Sequence, residues 1–471
     1  MIKFGTGGWR EIIGDQFTKA NVQKVAKALA VMMLEDGAKP EICMGYDRRF
    51  LSKEAAMWAS EVLVSEGIHV YFTNKSKPTP LIMYTVDYLK LDYGMAITAS
   101  HNPHLYNGIK VFTKGGKDAD VSVTSRLQEL ANQVEVVQPP YLFDQYVEQS
   151  RITYIDLFNE YIDSILEQID QTAIRDARLK VVLDPMYGVS QTSLRTILST
   201  VRCDLTVINE RHDTLFGGKL PTPNSAALSK LKQAVLDLKC DFGIATDGDA
   251  DRIGIIDDQG HFIHPNQILV LLYYYLLETK GWRGDVVRNN STTHLLDKIA
   301  QHYGQKCHEV PVGFKHISSK MAETEAIIGG ESSGGLTIVG HISGKDGIYA
   351  AALLVEMVAK MKRSISEIQH IIEERFGRFV YVDKDFHLYQ EKKDDIYRIL
   401  LENKELPEFP WPIDKVSYED GCKIYFQSGG WLIVRFSGTE PIIRMAAEFE
   451  SKELVDQAYA IIEHFLQINP S

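Results

Sequence analysis

Short apolar runs alternate with longer amphipathic stretches from residue 18 to residue 375, and this alternation restricts the fold more than any other feature. The runs at 42–46, 68–72 and 93–98 read as strands separated by helix-forming segments. Thr18 stands as an N-cap before one helix, whose Val22, Val25, Leu29 and Met33 form a single apolar stripe ending at Gly37. Residues 52–66 read as a second helix, and Pro78-Thr79-Pro80 opens a third. A second series has strands at 179–183, 204–208 and 240–246, with helices over 154–169 and 226–238. A third has strands at 285–288 and 307–310, with helices over 267–277, 292–302, 347–361 and 365–375. Strands alternating with helices in this way predict α/β sheets covered by helices. After the hinge Phe376-Gly377-Arg378 the pattern changes. Strands at 379–382, 422–426, 431–436 and 443–448 precede a helix from 452, which predicts a smaller C-terminal α+β unit.

A chain of 471 residues is too long for one ordinary core. Gln138-Pro139-Pro140 and the polar segment to Arg151 mark a boundary. The expected domains are therefore 1–140, 153–256, 257–375 and 376–471. Apolar content of 45% with 24% charged residues is that of a soluble globular protein. The longest apolar run, 268–277, is too short to cross a bilayer, so no membrane partner is expected. The N-terminus has no signal-peptide pattern, and the five cysteines are scattered; both fit reduced thiols in a cytoplasmic protein. A net charge of -12 argues against nucleic acid as a partner. It leaves room for a small anion, because local cations and loop amides outweigh a distant average.

Five stretches carry chemistry. Thr98-Ala99-Ser100-His101-Asn102-Pro103 places a hydroxyl at a strand end, and Tyr106-Asn107-Gly108-Ile109-Lys110 returns an amine to the same place. A turn chosen for its Ser, Asn and Pro explains the first stretch equally well in isolation. Lys3-Phe4-Gly5-Thr6-Gly7-Gly8-Trp9-Arg10 joins a glycine-rich loop to an arginine that suits phosphate, though a flexible terminal turn reads the same. Asp247-Gly248-Asp249-Ala250-Asp251-Arg252 sets carboxylates two residues apart, a spacing that lets them converge on a hard cation. An EF-hand shares that spacing, but Arg252 stands where its glycine is needed, Asp258 replaces its last glutamate, and the flanks read as strands. Gly329-Gly330-Glu331-Ser332-Ser333-Gly334-Gly335 offers acceptors and donors suited to sugar hydroxyls. Arg435-Phe436-Ser437-Gly438-Thr439-Glu440-Pro441, followed by Arg444, makes an anion cradle. Asp47, Arg48 and Arg49 read as an ion-pair cluster that positions the serine loop, and His316 as a surface or hydrogen-bonded residue more readily than a proton shuttle.

In this order the stretches resemble those of the alpha-D-phosphohexomutases, and the resemblance runs over nearly the whole chain. It implies four domains around a central cleft, three of them related α/β domains with mixed sheets. It also implies a reaction in which phosphoserine passes its phosphoryl group to a hexose phosphate, giving a bound 1,6-bisphosphate, and the other phosphoryl returns to serine. Ser100 is then the phosphoserine; its phosphate oxygen, Asp247, Asp249 and Asp251 hold one Mg²⁺. Lys110 is the general acid/base, its pKa expected to fall with desolvation or a neighbouring cation and to rise with phosphate. Arg10, His101, Asn102 and Arg252 match positions lining the phosphoserine. Lys315, Glu331 and Ser333 match the sugar loop and its neighbour. Arg435, Ser437, Gly438, Thr439 and Arg444 match the distal phosphate loop. The implied partner is a small hexose phosphate, with glucose 1,6-bisphosphate as activator, in a monomer or dimer.

Within the family the sugar loop separates subtypes. Gly-Glu-Ser-Ser-Gly-Gly resembles the glucose form Gly-Glu-Glu-Ser-Gly-Gly, with Ser332 in place of the second Glu. The dual glucose/mannose and the glucosamine enzymes usually carry His where Gly335 stands. Phosphoglucomutase is thus the expected activity, with phosphomannomutase or a dual enzyme next and phosphoglucosamine mutase after them. A non-catalytic sugar-phosphate sensor on this fold would have no use for Ser100, three aspartates and Lys110 together.

Overall fold

In the computed structural model, which describes residues 1–5, 7–135, 138–437 and 442–468, the apolar runs form four β-sheets. Three sheets repeat one plan. In the first, His69–Thr73, Glu41–Tyr46 and Tyr93–Ile97 lie parallel in that order, and Tyr106–Thr113 closes antiparallel on the last. In the second, Asp204–Val207, Lys180–Asp184 and Phe242–Thr246 are the parallel three, closed antiparallel by Ile253–Ile256. In the third, Cys307–Val310, Val286–Asn289 and Ile328–Gly330 are closed by Leu336–Ile338. Each sheet is mixed, as expected, and in each the turn from the last parallel strand into the antiparallel one carries a predicted motif. Ser100, the three aspartates and Glu331–Gly335 occupy equivalent places in three copies of one plan.

The fourth sheet is antiparallel, ordered Val380–His387, Ile442–Phe449, Trp431–Phe436, Cys422–Phe426 and Ile413–Ser417, with helix Lys452–Phe465 on it. The Arg435 loop again joins two adjacent antiparallel strands.

The helices bury the stripes their sequences present. Thr18 caps Lys19–Glu35 by accepting from the Asn21 amide at 3.3 Å, and Val22, Val25, Leu29 and Met33 are buried under it. Pro265–Glu278 and Gly347–Met361 are apolar on nearly every face and are buried in a core shared by the second and third sheets. The first and fourth sheets have their own cores.

One segment differs from expectation. Residues 138–151 were expected to separate two domains and 154–169 to be one helix. Beyond residue 140 the chain instead forms helix Phe143–Glu148 and then strand Ile152–Ile155, which pairs with His69–Thr73 as an edge of the first sheet. The helix that follows is shorter, Phe158–Leu166. A four-residue edge strand is defined by its distant partner, and 154–169 alone shows only amphipathic spacing.

Candidate functional site

Ser100 leaves strand Tyr93–Ile97 with φ +51°, a left-handed conformation that a serine adopts only when its surroundings impose it. Arg49 imposes it. Its guanidinium donates to four carbonyl oxygens of the loop, those of Ser100 (2.6 Å), Asn102 (2.7 Å), Pro103 (2.9 Å) and Tyr106 (3.0 Å). Asp47 supports the same turn: Oδ2 accepts from Thr98 Oγ1, which in turn accepts from the Ser100 amide at 2.8 Å. The expected ion-pair cluster is therefore present, with Asp47 and Arg49 both buried. Arg48 instead reaches the second unit, donating to Gln191 Oε1 at 3.0 Å and the Glu210 carbonyl at 3.2 Å.

The aspartate loop meets the serine head-on. Ser100 Oγ donates to Asp247 Oδ2 at 2.8 Å. The approach requires glycine at 248, where a Cβ would come within 2.8 Å of the Ser100 carbonyl oxygen. Asp247, Asp249 and Asp251 are all buried and each offers an oxygen within 4.8 Å of the others. At that spacing, carboxylate pairs repel by about 3–4 kcal/mol at an effective dielectric of about 20, so cations must be close. Lys110 is one, donating to Asp249 Oδ2 at 2.7 Å and Asp251 Oδ2 at 2.6 Å. Lys345 is another, 3.2 Å from Asp251 Oδ2. Even so, Asp249 Oδ1 and Asp251 Oδ1 are buried without a hydrogen-bond partner. Burial, and then repulsion from Asp249 and Asp251, pushes the Asp247 carboxyl well above the usual carboxylate range. Orphaned hard oxygens converging in a buried acidic trio fit a divalent cation.

Burial lowers the Lys110 pKa, but Asp249 and Asp251 outweigh it, and the net shift is upward. Desolvation therefore acts in the expected direction and is outweighed by two carboxylates, more than a hundred residues distant in sequence, that converge on the amine. His101 is the reverse case. Burial, then Arg252 and Arg10, hold its imidazole neutral, with Nδ1 3.4 Å from Ser100 Oγ. Arg10 donates to Asn102 Oδ1 at 2.9 Å, which ties the glycine-rich loop to the serine loop. The Arg252 amide donates to Asp247 Oδ1 at 3.1 Å. Lys315 lines a small hollow with Gly5, Gly7, Gly8 and Lys110.

The glycine-rich turn Glu331–Gly335 joins this group through its backbone: Arg252 and Gly335 form an antiparallel bridge. Glu331 is buried and accepts from the Gly313 amide at 3.0 Å and Asn289 Nδ2 at 3.3 Å, whereas Ser333 is exposed. His316 lies in the first turn of helix Phe314–Thr324, its pKa lowered by partial burial and by Lys315. On the fourth sheet Arg435 and Arg444 stand directly opposite each other across two strands, and each faces a carboxylate, with Arg444 Nε 3.7 Å from Asp385 Oδ1. Arg435 is held by Asp420 through two hydrogen bonds of 3.0 and 3.2 Å. Asp420 Oδ2 also accepts from the Val312 amide at 2.8 Å, which connects this loop to the third unit. Gly438 and Thr439 lie outside the described residues, and Ser437 ends the described stretch.

Sequence reasoning missed three contributors. Lys345 stands between the glycines of Gly344-Lys345-Asp346-Gly347, a stretch that reads as a helix cap. Thr79, which in sequence reads as a helix start, donates from Oγ1 to Asp249 Oδ2 at 2.8 Å and from its amide to the Asp249 carbonyl at 3.0 Å. Asp420 had no motif to mark it.

Among the described residues no helix is long and apolar enough to cross a membrane. Models of the phosphoglucomutase/phosphomannomutase family match in order: alpha/beta/alpha domain I over 1–137, domain II over 159–260, domain III over 264–376 and the C-terminal domain over 391–463. The chain is 31% identical to a phosphoglucomutase/phosphomannomutase of Thermococcus kodakarensis, over 96% of this chain and 95% of that one. It is 30% identical to a phosphoglucosamine/phosphogalactosamine mutase of Sulfurisphaera tokodaii, over 98% and 99%. A solved structure described as a phosphomannomutase, from Thermus thermophilus, superposes with a TM-score of 0.86 at 28% identity, covering 99% of each chain. With four sheets in the expected plan and the motifs in the expected turns, the chain belongs to the alpha-D-phosphohexomutase family, mutases that transfer phosphate intramolecularly.

Proposed function

We propose that this mutase carries its phosphoryl group on Ser100 and interconverts glucose 1-phosphate and glucose 6-phosphate through bound glucose 1,6-bisphosphate. The observation that carries the reading is the buried contact of Ser100 Oγ with Asp247, within a trio of aspartates that also holds Lys110. Asp247, Asp249 and Asp251, with an oxygen on Ser100, would hold Mg²⁺. When bound, that ion supplies charge neutralisation at the transferring group, where most of the barrier to phosphoryl transfer is lowered.

The chain's own residues do the rest. Arg49 and Asp47 fix the serine in a strained turn so that Oγ faces the aspartates. The free hydroxyl oxygen of the bound monophosphate forms the new bond to phosphorus as the bond to Ser100 Oγ breaks. The hydroxyl gives up its proton and Oγ gains one. Lys110, paired with its carboxylates, supplies the proton taken up by the leaving oxygen and, once neutral, accepts the one the attacking hydroxyl releases. The bisphosphate then presents its other phosphoryl group, which Ser100 Oγ takes. Arg435 and Arg444, with Ser437, Gly438 and Thr439, grip the phosphate that is not reacting. Glu331 and Ser333 hold sugar hydroxyls, with Lys315 beside them, while Arg10, His101, Asn102 and Arg252 line the serine.

Glucose is preferred in this reading because residue 335 has no side chain. Glucose and mannose differ only at the 2-hydroxyl, and a polar group left unpaired by the wrong epimer costs about 1–3 kcal/mol, roughly ten- to a hundredfold. Glucose 1-phosphate should therefore exceed mannose 1-phosphate in kcat/KM by about that factor, with glucosamine 1-phosphate poorer still. Equal efficiency for the two epimers would refute the glucose preference and leave the mutase reaction intact.

A further inference from the structure

The parallel strands Val286–Asn289 and Cys307–Val310 lie side by side in the third sheet, and the chain leaves their carboxyl ends in two neighbouring turns, joined where the Asn290 amide donates to the Val310 carbonyl at 2.9 Å. Each turn gives two nearby groups to two different carboxylates. From the first, Asn289 Nδ2 donates to Glu331 Oε1 at 3.3 Å, while Asn290 Nδ2 lies 3.4 Å from both Asp420 Oδ2 and the Asp420 carbonyl oxygen. From the second, the Val312 amide donates to Asp420 Oδ2 at 2.8 Å, and the next amide, that of Gly313, donates to Glu331 Oε1 at 3.0 Å. Glu331 and Asp420 thus hold alternate groups of the same two turns, one from the third sheet and the other from the fourth.

Asp420 is also fixed to the arginine strand. It stands in the turn between strands Ile413–Ser417 and Cys422–Phe426, next to Gly421, whose φ is +89°. A Cβ at 421 would meet the Val434 carbonyl oxygen at 2.3 Å and Arg435 Cα at 3.1 Å, so the turn lies directly on the backbone of Arg435. Its carboxylate takes the Nε–Nη2 edge of the guanidinium, a two-bond grip that fixes the plane of the arginine fork and turns its Nη1 end away from Asp420. Oδ2 is the shared atom, since it accepts from both Arg435 Nε and the Val312 amide.

We propose that Asp420 is a positioning residue that couples the anion grip of Arg435 to the sugar contact of Glu331, so that the distal phosphate and the sugar ring are bound as one unit. An anion on Arg435 holds the arginine against Asp420; Asp420 then holds the two turns, and the turns hold Glu331. The coupling is reciprocal, so a sugar on Glu331 strengthens the phosphate grip by the same factor. The proposal rests on the reading of Arg435 as the phosphate contact and Glu331 as the sugar contact.

A double-mutant cycle tests it, using Asp420→Asn, Glu331→Gln and their combination, with Arg435→Ala and Asn290→Ala alongside. For each, kcat and KM are measured with glucose 1-phosphate, together with the melting temperature. Asp420→Asn keeps the shape and an acceptor for Val312 but removes the charge that grips Arg435. It should raise KM about tenfold, the scale of a hydrogen bond to a charged group, with kcat falling less than KM rises. On the Glu331→Gln background the same change should add about threefold or less. Losses that multiply in the double variant would overturn the coupling. A wild-type KM in Asp420→Asn, with only the melting temperature lowered, would reduce Asp420 to a structural tie and overturn the proposal. Should Asp420→Asn fail to fold, Asn290→Ala decides, because it loosens one turn without touching Arg435: a raised KM supports the coupling and a wild-type KM overturns it. Arg435→Ala separates the two readings. An unchanged KM there would sink the phosphate assignment itself, whereas a raised KM there with wild-type KM in Asp420→Asn would sink the coupling alone.

Discussion

Ser100 Oγ donates to Asp247 Oδ2 at 2.8 Å across 147 residues of sequence. The contact joins equivalent turns of two sheets built on one plan. The matching turn of the third sheet reaches the same place through the Arg252–Gly335 bridge. Three copies of one strand-to-strand turn thus carry three different sets of groups, a hydroxyl, a carboxylate trio and a glycine-rich turn around Glu331, set against one another.

Arg49 is the residue on which the serine's geometry most depends. Its guanidinium donates to four loop carbonyls and lies 3.4 Å from Asp47; Arg49→Ala would take that donor from all four carbonyls and leave the buried Asp47 without its cation. Removing one partner of a buried charged network costs about 3–5 kcal/mol. The variant should lose stability of that order, with kcat falling further than KM rises because the nucleophile moves. Denaturant titration and steady-state kinetics measure both. A variant of wild-type stability and kcat would remove Arg49 from the account.

The reacting and non-reacting phosphates are assigned to different sheets, and the assignments can be separated. Asp249→Ala leaves Lys110 and Thr79 short of a partner and takes one ligand from the trio, so kcat and Mg²⁺ dependence should suffer first. A loss of roughly a hundred- to a thousandfold in kcat is expected for a group acting at the developing charge. Arg435→Ala should mainly raise KM and leave Mg²⁺ activation unchanged. Equal loss of Mg²⁺ activation in both variants would contradict two separate sites.

Lys423 predicts a pH effect at the junction of the third and fourth units. It is buried on strand Cys422–Phe426, with Nζ 2.7 Å from Glu309 Oε2 and 3.1 Å from His294 Nε2. Burial, then repulsion from Arg288, outweighs Glu309 and pushes its pKa down to about 7. An unfolded lysine titrates near 10.4, so between the two values the unfolded chain binds more protons than the folded one. Stability from this group is therefore fully present above the unfolded pKa and is lost as pH falls through the folded one. The slope in that window is at most about 1.4 kcal/mol per pH unit. Thermal unfolding between pH 7 and 9.5 should show wild type gaining on Lys423→Met as pH rises. Parallel profiles would exclude the effect.

Much of this was legible in the sequence because it depends on local spacing. The strands flanking Asp247–Asp251 were readable from apolar runs, and the serine turn from its own residues. What was not legible depends on distant partners. Strand Ile152–Ile155 exists through pairing with His69–Thr73. The raised pKa of Lys110 comes from carboxylates 139 and 141 residues away. Lys345 reads as part of a helix cap until its contact with Asp251 is seen. The threefold plan was expected from the family resemblance and not from internal repeats, because a sheet core asks only for apolar residues at alternate positions and leaves no shared motif.

The central claim is that Ser100 carries the transferring phosphoryl group. It is tested most directly by incubating wild-type protein and Ser100→Ala with glucose 1,6-bisphosphate and Mg²⁺, then measuring intact mass, phosphopeptides and turnover of glucose 1-phosphate. Phosphate on the Ser100 peptide of the wild type, with neither phosphate nor turnover in Ser100→Ala, is the predicted result. Full turnover in Ser100→Ala, or phosphate on another residue, would contradict it.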